Sequence, residues 1–196
     1  GVFAAGAATG PKDIPETVIQ ASAAACEAAR FLAKNRGTLV AERAYPPERN
    51  LAGEPVRIGV FVCHCGINIG SVVNVRAVRD FAAALPGVAY ADQNLYTCSQ
   101  DTQKLMKERI LEHRLNRVVV ASCSPRTHEA LFQETLREAG LNPYLFVMAN
   151  IRDQCSWVHQ REPEKATEKA CDLVAMAVSK ARLVEPLQPV KLPVTP

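Results

Sequence analysis

Four short apolar runs, each followed closely by a cysteine, constrain the fold of this chain more than any other feature. The runs begin at Arg57, Tyr90, Arg117 and Tyr144, and segments with helical periodicity lie between them. Regular alternation of strand and helix predicts a parallel sheet with right-handed crossover connections. We therefore expect an α/β fold, in which a Rossmann-like parallel sheet of four or more strands carries flanking helices.

Five cysteines follow these runs. Cys63 and Cys65 come after the first run, Cys98 after the second, Cys123 after the third and Cys155 after the fourth. Because the carboxyl ends of parallel strands share one edge of a sheet, where ligands bind, we expect all five thiols to converge there. The chain has seven cysteines, which is an odd number, and it shows no secretory features. Both observations argue against a disulfide framework. The sequence therefore predicts a centre that binds a soft metal.

The spacing of these cysteines bears on which metal they bind. Structural zinc sites commonly take their ligands in short-spaced pairs, and Cys63 and Cys65 are too near for an ordinary C-x-x-C turn. An iron–sulfur cluster is larger, needs four thiolates and takes them from several loops. Dispersed ligands therefore favour iron–sulfur over zinc, although the compact ferredoxin spacing is absent and zinc stays open.

Helix starts near the cysteines leave a further alternative. Cys98, Cys123 and Cys155 each lie close to a predicted helix start, with Ser99 and Ser124 as expected caps. The partial positive charge at a helix start is expected to lower a thiol pKa. This setting suits bound metal, but it also suits a thiol-redox enzyme that uses Cys63 or Cys65 as nucleophile.

The N-terminal segment is predicted to be a strand-helix appendage. Residues 1–5 form a strand-like run, and a helix is expected from Pro15 as far as Gly37. A lone strand and helix cannot bury an apolar face, and the sequence starts without a methionine, so we expect the end of a larger domain. The predicted buried face of this helix comprises Val18, Ser22, Ala25, Ala29 and Leu32.

Composition sets the remaining boundaries. We expect the appendage over residues 1–37, a linker rich in Pro and charge over 38–55, the main domain over 56–184 and a Pro-rich tail, leading away from the domain, over 185–196. Lys and Arg number 23 against 20 Asp and Glu, without long runs of one sign, so no nucleic-acid partner is predicted. No membrane span or signal peptide is evident, and we expect a cytoplasmic protein. Cys26 and Cys171 are expected to serve helix packing alone.

Four blocks of the sequence closely resemble the family of A-type subunits of heterodisulfide reductases. They are residues 57–70, 95–99, 116–128 and 150–159, which contain the five cysteines, and the resemblance extends from about residue 57 to the tail. The family consists of iron–sulfur flavoproteins of anaerobes. The resemblance implies one [4Fe-4S] cluster bound at the family's cysteine positions, with one of five candidates spare. Cys63 and Cys65 are the pair least expected to bind together.

What the resemblance implies for function is electron transfer. The chain would be a module of an oxidoreductase complex that performs flavin-based electron bifurcation, and it would relay electrons between flavin and partner subunits without being catalytic alone. Implied partners are other heterodisulfide-reductase-like subunits, a hydrogenase or dehydrogenase subunit that delivers electrons, and an upstream flavin domain. A structural or docking module with zinc or no metal is the alternative from another class.

The first residues are also similar to the end of that family's thioredoxin-reductase-like flavin domain. The similarity lies in its final FAD-contacting strand and helix, and it implies FAD contacts in the parent protein from Gly1, Gly6, Pro11, Lys12 and Asp13. The dinucleotide fingerprint of such a domain is absent from these 196 residues. We therefore expect that this chain does not hold FAD by itself.

Overall fold

The computed structural model describes residues 1–41, 43–190 and 192–193. Position 42 of the predicted linker, and positions 191 and 194–196 of the predicted tail, lie outside the described residues. Two compact units make up the chain, Gly1–Ala44 and Tyr45–Pro196. No helix in the described ranges combines the length and the apolar character needed to cross a membrane.

The second unit is built on a four-stranded parallel sheet, as predicted. Its strands are β1 (Ile58–Cys63), β2 (Val88–Asn94), β3 (Arg117–Ser122) and β4 (Phe146–Asn150). Their spatial order is β2-β1-β3-β4, and every neighbouring pair is parallel. The chain therefore winds to one side of β1 and then to the other, and the crevice of such a sheet opens at the carboxyl ends of β1 and β3.

Helices cover both faces of this sheet. They are α2 (Val75–Ala83), α3 (Gln100–Glu112), α4 (Pro125–Glu138) and α5 (Pro163–Ala181). Successive side chains of a strand point to opposite faces. Val60 and Val62 of β1 accordingly join the core beneath α2 and α5, whereas Phe61 joins the core beneath α3 and α4. Burial on both faces explains why β1 and β3 are continuously apolar in the sequence.

Helix caps fix where the loops after the strands end. The Ser99 hydroxyl accepts a hydrogen bond from the backbone N–H of Thr102, and the Ser124 hydroxyl accepts one from that of Arg126. Pro125 follows Ser124 as the first residue of α4. Both predicted caps are therefore confirmed, and α3 and α4 begin just after the cysteines at positions 98 and 123.

The first unit has a helix but no strand among its described residues, 1–41 and 43–44, which corrects part of the prediction. A 3-10 turn over Gly6–Thr9 precedes α1 (Ile14–Leu32), which starts at a reciprocal capping box between Asp13 and Glu16. Residues 1–5 have no strand partner among the described residues. A strand needs a neighbour for its backbone N–H and C=O groups, so the apolar run stays irregular.

The predicted buried face of α1 is also wrong, because α1 has no buried residue. The 3-10 turn packs on the helix because the backbone N–H of Gly6 and the hydroxyl of Thr9 both donate to Gln20 Oε1, at 3.0 and 3.1 Å. These bonds orient the helix, and Cys26, expected to be packed, is exposed. The residues predicted as buried are not: Val18, Ser22, Ala25, Ala29 and Leu32 all lie outside any buried core.

Segments before and after the sheet lie along the second unit. The backbone N–H of Arg49 donates to the carbonyl of Gly140 at 2.9 Å, which ties residues in the predicted linker to the end of α4. The buried Asn142 amide donates to the carbonyl of Leu187 at 2.9 Å. The tail was predicted to lead away from the domain; instead it follows the unit as far as Leu187, because Asn142 takes up its backbone groups. The full set of domain boundaries stays a prediction.

Candidate metal centre

Four cysteines meet at the carboxyl edge of the sheet. Cys63 is the last residue of β1, Cys123 follows β3, Cys98 precedes α3, and Cys65 lies in the loop after β1. Cys63 and Cys123 are buried, with 4% and 7% of their surface exposed. The sulfurs interact electrostatically: burial raises the pKa of Cys65 most, and the neighbouring charges at positions 63, 123 and 98 raise it further. These four thiols are therefore close enough to influence one another electrostatically, and their binding of metal stays a prediction.

A left-handed turn brings the close pair together. Cys65 has φ 49° and Gly66 has φ 54°, a region that costs a non-glycine residue roughly 1–2 kcal/mol. The loop is held because the N–H groups of His64 and Cys65 donate to the carbonyls of Asn94 and Leu95, each at 2.8 Å. From the sequence, Cys63 and Cys65 are the pair least expected to bind together. The left-handed turn nevertheless places Cys65 in the same group of thiols as Cys63.

Cys155 lies apart from this group. It falls in a π-helical turn, Arg152–Ser156, and its fully buried sulfur packs in the core between the sheet and α5. Its thiol donates a hydrogen bond to the carbonyl of Ala166 at 2.8 Å, and its electrostatic partners are Lys169 and Cys171. The strand-end rule predicts where the backbone goes, but the wide π turn decides where this sulfur points.

The pKa values of two thiols run against the prediction from helix starts. Burial raises the pKa of Cys98, the charge of Cys63 raises it further, and a backbone hydrogen bond offsets this only in part. Burial likewise raises the pKa of Cys155 above its ordinary value. Desolvation of the thiolate is therefore the largest influence on the pKa at both positions.

Arg152 places a positive charge near the thiols. Its charge lowers the pKa of Cys65, which opposes the effect of the neighbouring sulfurs. The guanidinium lies 4.6 Å from the ring centroid of Trp157 and pairs with Asp153 at 3.1 Å. Stacking and pairing hold the side chain in place, so the site has a positioned counter-charge for bound anionic sulfur.

Unused hydrogen-bonding groups surround the cysteines. The buried atoms His64 Nδ1, Asn94 Oδ1 and Thr97 Oγ1 have no partner within the described residues. The backbone N–H of Thr97 donates to Cys63 Sγ at 3.4 Å. Leaving a buried polar atom unpaired costs roughly 1–3 kcal/mol, so these atoms suit an added group that hydrogen-bonds. Sequence reasoning missed Asn94 and Thr97, although Thr97 directly precedes a candidate ligand.

The donor set is made of thiols. Soft thiolate ligands favour zinc, copper(I) and iron–sulfur clusters over hard cations. Across the residues that the structure describes, no group of three or more His, Cys, Asp and Glu side chains has the arrangement that would hold a single metal ion. The four thiols, the N–H donor to sulfur and the unpaired polar atoms fit a cluster bound by cysteines.

The residues implied to contact FAD lie in the first unit. The Gly6 N–H is taken up by Gln20, and the Asp13 carboxylate accepts the backbone N–H of Glu16 at 2.7 Å as the cap of α1. Gly1 and Pro11 are exposed and Lys12 is half-buried. Contact of these residues with FAD stays a prediction.

The sequences of several curated relatives are similar to most of this chain. An A-type iron-sulfur subunit of CoB–CoM heterodisulfide reductase from Methanopyrus kandleri is 55% identical over 145 residues, 74% of this chain and 22% of the relative. The A-type subunit of an H2:CoB-CoM heterodisulfide, ferredoxin reductase from Methanothermobacter thermautotrophicus is 57% identical over 72% of this chain and 21% of its own length. A protein of Archaeoglobus profundus, named as similar to the A-type subunit of heterodisulfide reductase, is 55% identical over 70% of this chain and 20% of its own.

The chain thus spans about a fifth of the length of the curated relatives that it matches. No protein-family model matches it.

Proposed function

Since the chain belongs to the family of A-type heterodisulfide reductase subunits, we propose that its second unit holds one [4Fe-4S] cluster and passes single electrons. The observation that carries this proposal is the meeting of four thiols, from three separate loops, at the carboxyl edge of the sheet. A cluster, when bound, supplies reversible one-electron chemistry. The chain supplies the ligands, the counter-charge and the exclusion of water.

We assign the four ligands to the thiols that the fold brings together: Cys63, Cys65, Cys98 and Cys123. Cys155 is the spare fifth candidate, because its sulfur is committed to the carbonyl of Ala166 and its electrostatic partners are Lys169 and Cys171 instead. Its role is packing beneath α5.

The surroundings support electron transfer over nucleophilic chemistry. A reactive thiolate needs a lowered pKa, whereas burial and neighbouring sulfurs raise that of Cys65. The same crowding of thiols is an advantage once metal replaces their protons. Arg152 and the amino-terminal ends of α3 and α4 would then offset the negative charge of the sulfurs.

The names of the relatives and the family resemblance support a wider proposal. They are called iron-sulfur subunits or reductases of heterodisulfide and ferredoxin. We propose that this module relays electrons between FAD of a flavin domain and partner subunits of such an oxidoreductase, among them a hydrogenase or dehydrogenase subunit. The first unit would contribute FAD contacts at Gly1, Gly6 and residues 11–13, and the complex would work in the cytoplasm.

A zinc-bearing docking module is the second candidate, because four cysteine thiols are also the ligand set of many structural zinc sites. Anaerobic reconstitution of the full chain, followed by iron, acid-labile sulfide and zinc analysis, separates the two. We expect about four iron and four sulfide per chain and visible absorption that a strong reductant bleaches. Zinc without sulfide would favour docking. Rapid stoichiometric alkylation of one thiol in active, metal-free protein would favour a thiol-redox enzyme.

Single serine replacements test the ligand assignment. We expect Cys→Ser at each of positions 63, 65, 98 and 123 to lose most of the iron and sulfide. Cys155→Ser is the matched control, since it removes a buried thiol outside the group, and it should keep the full complement. Loss of the cluster in Cys155→Ser, with retention in Cys65→Ser, would exchange these two residues in the assignment.

A further inference from the structure

One unpaired polar group beside the cysteines belongs to a side chain with no exposed surface. Thr97 is 0% exposed, and its Oγ1 is among the buried atoms that lack a partner in the described part of the chain. A hydroxyl is both a donor and an acceptor, and burying one without a partner is costly. The Thr97 hydroxyl is therefore a buried donor that is available for a hydrogen bond to an added group.

The position of Thr97 relates this donor to two proposed ligands. Its backbone N–H donates to Cys63 Sγ at 3.4 Å, and Cys98 is the next residue along the chain. Only the Cα and Cβ atoms of Thr97 separate its Oγ1 from the nitrogen of that N–H. The unpaired hydroxyl therefore belongs to the same residue whose N–H contacts a proposed ligand sulfur.

We propose that the Thr97 hydroxyl donates a hydrogen bond to a sulfur atom of the bound cluster, either a sulfide or a cysteine sulfur that binds iron, and so raises its reduction potential. This inference rests on the proposed function. Reduction adds negative charge to the cluster, and a donor to sulfur stabilises the reduced form more than the oxidised form. Thr97 then serves the cluster twice, through its backbone N–H and through its hydroxyl.

Two replacements of Thr97 in the reconstituted full chain test the proposal. Thr97→Val keeps the shape of the side chain and removes the hydroxyl, whereas Thr97→Ser keeps the hydroxyl. A redox titration followed by electron paramagnetic resonance should show a lower midpoint potential in Thr97→Val. We expect the equilibrium constant for one-electron reduction to fall several-fold, up to about tenfold, which corresponds to about 59 mV.

The serine variant should return the potential to within about twofold of the wild-type equilibrium constant. A merely structural role would lower the stability of Thr97→Val and leave its potential unchanged. A cluster-loaded Thr97→Val chain with the wild-type potential therefore overturns the proposal.

A measurement on the wild-type chain keeps the proposal testable if Thr97→Val does not fold. Brief transfer to D2O exchanges the hydroxyl proton, while a buried backbone amide exchanges slowly. Electron–nuclear double resonance of the reduced cluster should lose a coupled proton signal within that time. If every proton signal is retained, the proposed role of the Thr97 hydroxyl is wrong, but the proposed function stands. If the wild-type chain takes up no iron and sulfide, the proposed function is wrong as well.

Discussion

The thiol of Cys155 donates a hydrogen bond of 2.8 Å to the carbonyl oxygen of Ala166, and both residues are fully buried. The bond joins the π-helical turn after β4 to the first part of α5. The bond also holds the Cys155 sulfur in the interior. Its place after β4 predicts instead that it lies with the other four candidate cysteines at the edge of the sheet. Under the proposed ligand assignment, replacement of Cys155 changes the stability of the second unit and leaves cluster binding intact.

We expect Cys155→Ala to lower the free energy of unfolding of the second unit by about 1–3 kcal/mol. The change deletes a buried sulfur and leaves a small cavity beneath α5. Urea unfolding followed by circular dichroism measures the loss. Cys26→Ala is the control, because Cys26 is exposed in the first unit and its removal should leave the transition of the second unit in place. An equal shift in both variants would contradict a packing role.

The loop that carries Cys65 depends on the absence of a side chain at Gly70. The backbone N–H of Gly70 donates to the carbonyl of His64 at 2.8 Å, and a methyl group added at Gly70 would overlap the His64 ring. Overpacking of this kind typically costs about 1–3 kcal/mol, so Gly70→Ala should destabilise the chain by that amount. Thermal unfolding of the single variant measures it.

A double-mutant cycle shows whether the His64 ring is the cause. In the presence of His64→Ala, the Gly70→Ala change should cost much less, because the overlapping ring is gone. Strictly additive effects of the two replacements would show that the loss arises elsewhere in the loop.

The entry to β1 depends on one buried amide. Asn116 Oδ1 accepts the backbone N–H of Arg57, and its Nδ2 donates to the carbonyl of Pro55, each at 2.8 Å. Asn116→Ala should lower the free energy of unfolding by roughly 1–3 kcal/mol, because it removes both hydrogen bonds made by a buried side chain. Asn50→Ala removes a similar bond, which Asn50 Oδ1 accepts from the backbone N–H of Ala52, but at an exposed site. That control should change stability by no more than about 0.5 kcal/mol in urea unfolding.

Sequence reasoning succeeded where local signals and packing agree. The Val-rich run of β3, the Ser124 cap and the proline at position 125 predict a strand, a loop and a helix start in succession, and the structure has all three. The strand-end rule also placed Cys63 and Cys123 at one edge. The strand, the cap and the helix start depend on residues close together in the chain, and the strand-end rule needs only the order of strands and helices, so the sequence contains both.

Features that depend on side-chain direction were not predictable. Helix α1 buries no residue, and bonds from the turn before it, rather than apolar burial, decide which of its faces contacts that turn. Periodicity likewise does not reveal a π turn at Cys155 or a left-handed residue at Cys65. In each of these cases, contacts between residues distant in the chain override the conformation that the local sequence predicts.

Tyr90 gives the chain a specific response to alkaline pH. Its hydroxyl donates to Asp92 Oδ2 at 2.9 Å, and burial, this bond and the carboxylate charge raise the pKa of Tyr90 to about 12. An unfolded tyrosine has a pKa of about 10. The neutral phenol is therefore favoured in the fold, and its stabilising contribution is complete below about pH 10 and is lost as the pH rises through about 12.

We expect the stability difference between the wild-type chain and Tyr90→Phe to shrink over this pH range. Urea unfolding at fixed pH values between about 9 and about 12 measures that difference against the raised pKa. Asp92→Asn should move the titration of Tyr90, followed by phenolate absorption, towards lower pH, because it removes the carboxylate charge while burial remains. A phenolate that titrates at the same pH with and without Asp92 would show that burial alone raises the pKa.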